Sequence, residues 1–316
     1  MIFFAGMSVA AALFLLFVII QAFVLNTEYA EIEIVGSENL TGRFLSLSGG
    51  RTYFEIDGDE TNPVVLLVHG FSVPSYMWDK TFSPLAESGF RVIRYDMYGR
   101  GLSDRPRTAY NSRLFVRQIY ELLKEAGVNG KISIVGTSMG GAVAAAFARA
   151  YPHIVESIVL IDPVHEQVKI GIRRIPFIGR LVEYSFYHPG YSELQLQDFY
   201  EPDKFPDWPD RYREQMIYNG FRHAIFSTLR NFLNHDPGPY YLSIKENKIP
   251  ALLIWGNEDK TLSLHGIAKL DSLISPEIFV VYKAGHLPHY ERPEIVNPVI
   301  IHFLRRNTFV NVSAYI

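Results

Sequence analysis

Residues 132–150 read ISIVGTSMGGAVAAAFARA, and this stretch decides the fold. Ile132-Ser133-Ile134-Val135 is a short run dominated by β-branched residues, the mark of a buried strand. Gly136-Thr137-Ser138-Met139-Gly140 follows at once, and residues 141–148 are alanine-rich and strongly helix-forming. Strand, G-x-S-x-G, helix describes a turn so sharp that its serine is held in a strained backbone conformation. Glycine flanks it because bulk would clash with the neighbouring chain. Such a turn exposes the Ser138 hydroxyl at the start of a helix, where free N–H groups and the helix dipole favour developing negative charge. A turn that merely joins two elements is the plain alternative. The strand before it and the alanine helix after it favour a nucleophile.

Outward from this stretch, residues 64–68 form an unbroken apolar run, which suits a parallel strand covered on both faces. Similar runs recur at residues 91–95, 158–161, 251–255 and 278–281, and residues 51–57 read as a further strand. Helical stretches at residues 75–88, 111–126, 138–150, 263–273 and 293–305 separate most of them. Strand and helix alternate, which predicts an α/β fold with a doubly wound, mostly parallel sheet. The alternation fails between Asp162 and Pro250. Residues 164–245 carry 16 aromatics in 82 positions, against 44 in all 316, with many prolines and short helical pieces. An insertion of this kind between two core strands predicts a helical cap over the carboxyl ends of the strands, lining an apolar pocket. A structural subdomain without a ligand is the alternative. The expected division is therefore an anchor at 1–27, core at 28–163, cap at 164–245 and core again at 246–316.

Hydrophobic residues make up 48% of the chain and charged ones 20%, which suits a globular core. The net charge is −3 and no basic cluster interleaves with aromatics, so nucleic acid is not an expected partner. There is no cysteine, which removes disulfides, thiolate catalysis and cysteine-ligated metals. No cofactor and no metal are expected. At the N-terminus, residues 2–25 carry no charge, and only Ser8 and Gln21 are appreciably polar. A helix of that length spans roughly 35 Å, enough for a bilayer core of about 30 Å. A cleaved signal peptide would have a basic start, a shorter apolar run and small residues before the cut. The sequence reading is thus a membrane partner through an uncleaved single-pass anchor. Its orientation is open, because no Lys or Arg precedes it and the nearest one after it is Arg43.

A serine hydroxyl is a weak nucleophile and needs a neighbouring base, which needs an orienting acid. The acid is expected after a late strand, where residues 251–255 run into Gly256-Asn257-Glu258-Asp259. Asp259 is the first choice, with Glu258 and Asp162 as alternatives. The base is expected after the last strand, where Lys283-Ala284-Gly285-His286 follows residues 278–282. His286 is preferred to His289 for its place just past the strand and beside a glycine. Two backbone N–H groups should face the oxyanion. One is that of Met139. The other is that of Phe71, in a loop reading His69-Gly70-Phe71-Ser72, which the His69 ring would brace.

His69-Gly70-Phe71, the loop DMYGRGLSD at residues 96–104, Gly136 to Gly141, Gly256 to Asp259 and Gly285-His286 fall in order over residues 51–305. In them the chain resembles the α/β-hydrolase fold superfamily, within its large group of capped serine hydrolases. Members that open epoxides or remove halides are similar but use an aspartate nucleophile, where this chain has Ser138. The resemblance implies a Ser138–His286–Asp259 triad and leaves the substrate class wide. The leading expectation is a membrane-anchored hydrolase of carboxylic esters of apolar or monoacylglycerol-like lipid substrates, acting through an acyl-enzyme. The alternatives are a carbon–carbon bond hydrolase of ring-cleavage dienone products and a non-catalytic binding protein.

Overall fold

The computed structural model describes residues 2–31 and 41–308. Met1 and residues 32–40 and 309–316, which the sequence divides among anchor and core, lie outside the described residues. Eight strands form one sheet: β1 (Arg43–Leu47), β2 (Gly50–Asp57), β3 (Val64–Val68), β4 (Arg91–Tyr95), β5 (Ile132–Thr137), β6 (Val155–Ile161), β7 (Ala251–Gly256) and β8 (Glu277–Val281). Their order in space is β1-β2-β4-β3-β5-β6-β7-β8. The pairs from β4 through β8 are parallel, and β1 and β2 add an antiparallel hairpin at one edge. The doubly wound α/β class expected from the sequence is what the chain adopts.

The apolar runs explain the layering. Every residue of β3, β5 and β7 is buried, so these strands need cover on both faces. On one face lie the helices Ser112–Glu125 and Met139–Ala150. The first presents Leu114, Phe115, Ile119, Leu122 and Leu123 at helical spacing, and the Asn111 side chain caps its start by accepting the Leu114 N–H at 3.1 Å. The other face is covered from the chain's end, where Val296, Ile300, Phe303 and Leu304 of the helix Pro293–Thr308 join Val65, Leu67 and Val135. The single helix expected over residues 75–88 is instead a 3-10 turn, Ser75–Trp78, and a short α-helix, Phe82–Glu87. Pro84 is tolerated because it falls in the first turn of the second piece, where its missing N–H has no intrahelical partner to lose.

Among the described residues the segment between β6 and β7 contains no strand. It is a series of short helices, including Trp208–Met216 and Phe221–Thr228. Its aromatics do not form a layer of their own. Phe199, Trp208, Tyr212 and Phe221 are buried in one cluster with Trp78 and Tyr290 of the core, and Trp208 meets Tyr290 edge-on with ring centroids 4.7 Å apart. The aromatic enrichment therefore clamps the insertion to the sheet domain.

The reading of the N-terminus as a transmembrane anchor, with a single-pass membrane location, is corrected. Among the described residues no helix is long and apolar enough to cross a membrane. The segment forms a helix, Ile2–Val24, that touches the insertion. Val18 is buried, its carbonyl accepts the Ser185 hydroxyl at 2.9 Å, and the Ala22 carbonyl accepts the Arg222 guanidinium at 2.8 Å. These contacts tie one side of the helix to the protein, while Leu13, Phe14, Leu16 and Ile20 on its described part stay exposed.

Candidate active site

The register of the sheet sets the carboxyl ends of its strands side by side. Val68 pairs with Gly136, Thr137 with Ile161, Ile161 with Ile254, and Gly256 with Val281. The residues that follow each strand are therefore brought to one edge. β5 runs straight into Ser138, whose φ of 53° and ψ of −122° lie outside the ordinary range of a residue with a side chain. The Ser138 N–H donates to the Ile161 carbonyl at 2.9 Å, which holds the turn on the neighbouring strand. The helix Met139–Ala150 begins at the next residue, and Met139 is fully buried. Gly140 is required by contact, since a Cβ there would stand 2.2 Å from the Val68 carbonyl oxygen.

Ser138 is 9% exposed and opens onto a cavity of ≈ 270 Å³. The same cavity is lined by His286, Phe71, Asp198 and Thr261. The His286 Nδ1–H donates to Asp259 Oδ2 at 2.7 Å, with 4% of the imidazole and none of the carboxylate exposed. That bond fixes the tautomer and leaves Nε2 as the acceptor. The two loops are tied together: the Glu258 N–H donates to the Ala284 carbonyl at 3.0 Å, and a Cβ on Gly256 would sit 1.9 Å from the Gly285 carbonyl oxygen. The Asp259 carboxylate also accepts the N–H groups of Thr261 and Leu262 at 2.7 and 2.9 Å.

Burial works against charge on both partners, and their mutual attraction overrides it. Burial raises the Asp259 carboxyl, but the His286 imidazole and the hydrogen bonds hold it below the usual carboxylate value. Burial lowers His286, and Asp259, joined by Asp198, carries it above the ordinary imidazole value of 6.5. Asp162 differs. Burial and the Asp259 charge push its carboxyl well above the carboxylate range. The Gly256 N–H donates to Asp162 Oδ1 at 3.0 Å.

The other candidates fall elsewhere. Glu258 is exposed and accepts from the side chain of Asn257 at 3.0 Å. His289 is fully buried with its ring 4.5 Å from that of Trp78, and burial holds its pKa down to about 3. His69 braces its loop: the Met97 N–H donates to Nε2 at 2.8 Å, and Nδ1–H donates to the Gly70 carbonyl at 2.9 Å. Arg100, from the loop at residues 96–104, fixes the Phe71 carbonyl at 2.8 Å. Ligand atoms of Asp162, Asp259 and His286 lie within 4.8 Å of one another, close enough to hold a cation. Their lone pairs are already directed to N–H donors, which leaves a metal poorly served. A second cavity, of ≈ 400 Å³, includes Arg94, Asp79 and Arg211, whose charges pair with each other. Sequence reasoning missed Asp198, Gln195 and Tyr191 as cavity residues. They lie in an aperiodic stretch of the insertion, and no pattern could have chosen them. The insertion's aromatics contribute only Tyr191 to this cavity among the described residues, so the aromatic lining expected for the pocket is absent there.

Residues 63–293 match the family described as alpha/beta hydrolase fold. The chain is 26% identical over 283 residues to the AB hydrolase superfamily protein YfhM of Bacillus subtilis, covering 83% of this chain and 97% of that one. It is 24% identical over 253 residues to Lipase 1 of Psychrobacter immobilis, covering 77% of each. Among solved structures it is similar to a meta-cleavage product hydrolase mutant, with 25% identity and a TM-score of 0.69 over 84% of this chain and 98% of the other. Other relatives at 24% identity are named as epoxide hydrolases. The chain belongs to the alpha/beta hydrolase fold family.

Proposed function

We propose that the protein is a serine hydrolase of carboxylic esters with an apolar part, monoacylglycerol-like esters among them. In this reading Ser138 attacks the ester carbonyl, and His286 Nε2 takes its proton and returns it to the leaving alcohol. Asp259 orients the imidazole and stabilises its charged form. The N–H groups of Phe71 and Met139 receive the oxyanion, and water then releases the acid from the acyl-enzyme. The insertion at residues 164–245 acts as the cap. The observation that carries the proposal is the strained Ser138 opening onto the cavity that His286 lines, with His286 backed by the buried Asp259 at 2.7 Å. A binding protein has no use for such an arrangement.

The cavity also favours esters over the dienoic acids taken by some relatives. Among its described lining residues there is no Lys or Arg, so a substrate carboxylate would enter without a counter-ion. Val73, Met77, Leu194 and Leu287 offer an apolar wall for an acyl chain. The test is kcat/KM for p-nitrophenyl esters from acetate to octanoate, set against a ring-cleavage dienoate. Each methylene buried contributes about 0.8 kcal/mol, or about fourfold in specificity. A steep rise with length until the cavity is full is the expected result. A flat series would remove the apolar, lipid-like part of the reading, and a dienoate turned over faster than every ester would remove the ester reading.

A further inference from the structure

We propose that Asp198 is the substrate-recognition residue of this cavity, selecting uncharged, hydroxyl-bearing esters and turning carboxylate-bearing ones away; the inference rests on the ester-hydrolase reading above. Asp198 ends the 3-10 turn Gln195–Asp198 of the insertion. Two contacts hold it at the reacting centre. Its carbonyl accepts the His286 N–H at 2.7 Å, and the Thr261 hydroxyl donates to its Oδ1 at 2.6 Å. The second carboxylate oxygen, Oδ2, accepts no hydrogen bond among the described residues. The loop is therefore fixed, Asp198 is part of the cavity lining, and one carboxylate oxygen is left over.

That acceptor has a clear preference. A carboxylate oxygen without a partner takes a donor, and Gln195 and Gln197 are on the same cavity lining, the Gln195 Nε2 donating to the Tyr191 carbonyl at 3.0 Å and leaving its Oε1 as an acceptor. With Val73, Met77, Leu194 and Leu287, the lining combines apolar and hydrogen-bonding surface, which fits an ester with one hydrocarbon arm and one hydroxyl-bearing arm. A substrate carboxylate would instead face Asp198 with no Lys or Arg among the described lining residues to offset the repulsion.

The experiment uses the full chain and three esters of matched length: 1-monooctanoylglycerol, methyl octanoate and mono-octyl succinate. kcat/KM is measured for the wild type, Asp198→Asn and Asp198→Ala. In the wild type the glycerol ester should exceed the methyl ester by about tenfold and the succinate should be poorest, the scale of one hydrogen bond to a charged group. In Asp198→Ala the glycerol preference should fall towards one. In Asp198→Asn, an isostere without charge, the succinate should gain about tenfold relative to the methyl ester. Substrate ratios equal in wild type and variants overturn the inference, whatever happens to overall rate. So does a change confined to melting temperature or to the pH profile, which would make Asp198 a brace for Thr261 or a neighbour tuning His286. Turnover of methyl octanoate by the wild type keeps the ester reading standing in those cases. A wild type inert to all three esters overturns both.

Discussion

β5 runs into Ser138 and β6 into Asp162, and the two residues share an unusual backbone, with φ of 53° and 39°. Each hangs on the next strand of the sheet: the Ser138 N–H donates to Ile161, and the Asp162 N–H donates to Ile254, both at 2.9 Å. Their side chains meet different surroundings. Ser138 reaches the cavity, while the fully buried Asp162 meets the Gly256 N–H and the Asp259 carboxylate. Strain at a strand end delivers a side chain to the edge of the sheet, and what lies opposite decides its task. Asp162 and Asp259 repeat the lesson as a pair. Burial drives one carboxyl up and His286 holds the other down, although both follow core strands.

The comparison is most exposed at the two carboxyls. Asp259→Asn removes the charge that stabilises the imidazolium and favours the wrong imidazole tautomer, so kcat/KM should fall by about 10⁴. Asp162→Asn puts an uncharged group where burial already disfavours the charged carboxylate, keeps an acceptor for the Gly256 N–H, and should alter turnover less than about tenfold. A reversal of these two effects would make Asp162 the acid. The pH profile sharpens the same distinction. In the proposed mechanism activity needs neutral His286, and Asp259 holds its pKa above 6.5, so the acid limb of kcat/KM in the wild type should have its midpoint above that value. In Asp259→Asn the residual activity should show a limb moved to lower pH. A limb that stays in place would mean that another group controls it.

The smallest effect is on stability. The folded state raises the pKa of Asp162, so it keeps a proton that the unfolded chain releases above about pH 4. That contribution is complete at low pH and is lost as pH rises towards the folded value. Asp162→Asn holds its neutral form at every pH. Melting curves should show it gaining a few degrees on the wild type between acid and mildly alkaline pH, with the difference closing near pH 4. Equal pH dependence in the two proteins would show that Asp162 is not the protonated member of the pair.

The sheet was legible because strands covered on both faces must be apolar throughout, and VVLLV at residues 64–68 or ALLIW at residues 251–255 can be little else. Ser138 was legible because a tight turn demands glycine on both sides. Asp259 and His286 were legible by position after late strands, and the sheet register does bring Ser138, Asp259 and His286 to one edge. The insertion was legible only as an interruption. Of its aromatics, taken as a pocket wall, Phe199, Trp208, Tyr212 and Phe221 join the buried cluster of Trp78 and Tyr290 instead, because which face a short helix presents is set by tertiary contacts. Asp198 carried no signal at all. The apolar N-terminal run misled because length and lack of charge say nothing of Ser185 and Arg222, far along the chain, which take up its carbonyls.

In the proposed mechanism Ser138 is a nucleophile made reactive by His286. The most direct measurement treats the protein with an alkyl fluorophosphonate and locates the adduct by peptide mass spectrometry. The expected result is a single adduct on Ser138, absent in Ser138→Ala and formed at least about 10³ times more slowly in His286→Ala. An unlabelled Ser138, or labelling whose rate is indifferent to His286, would contradict the account.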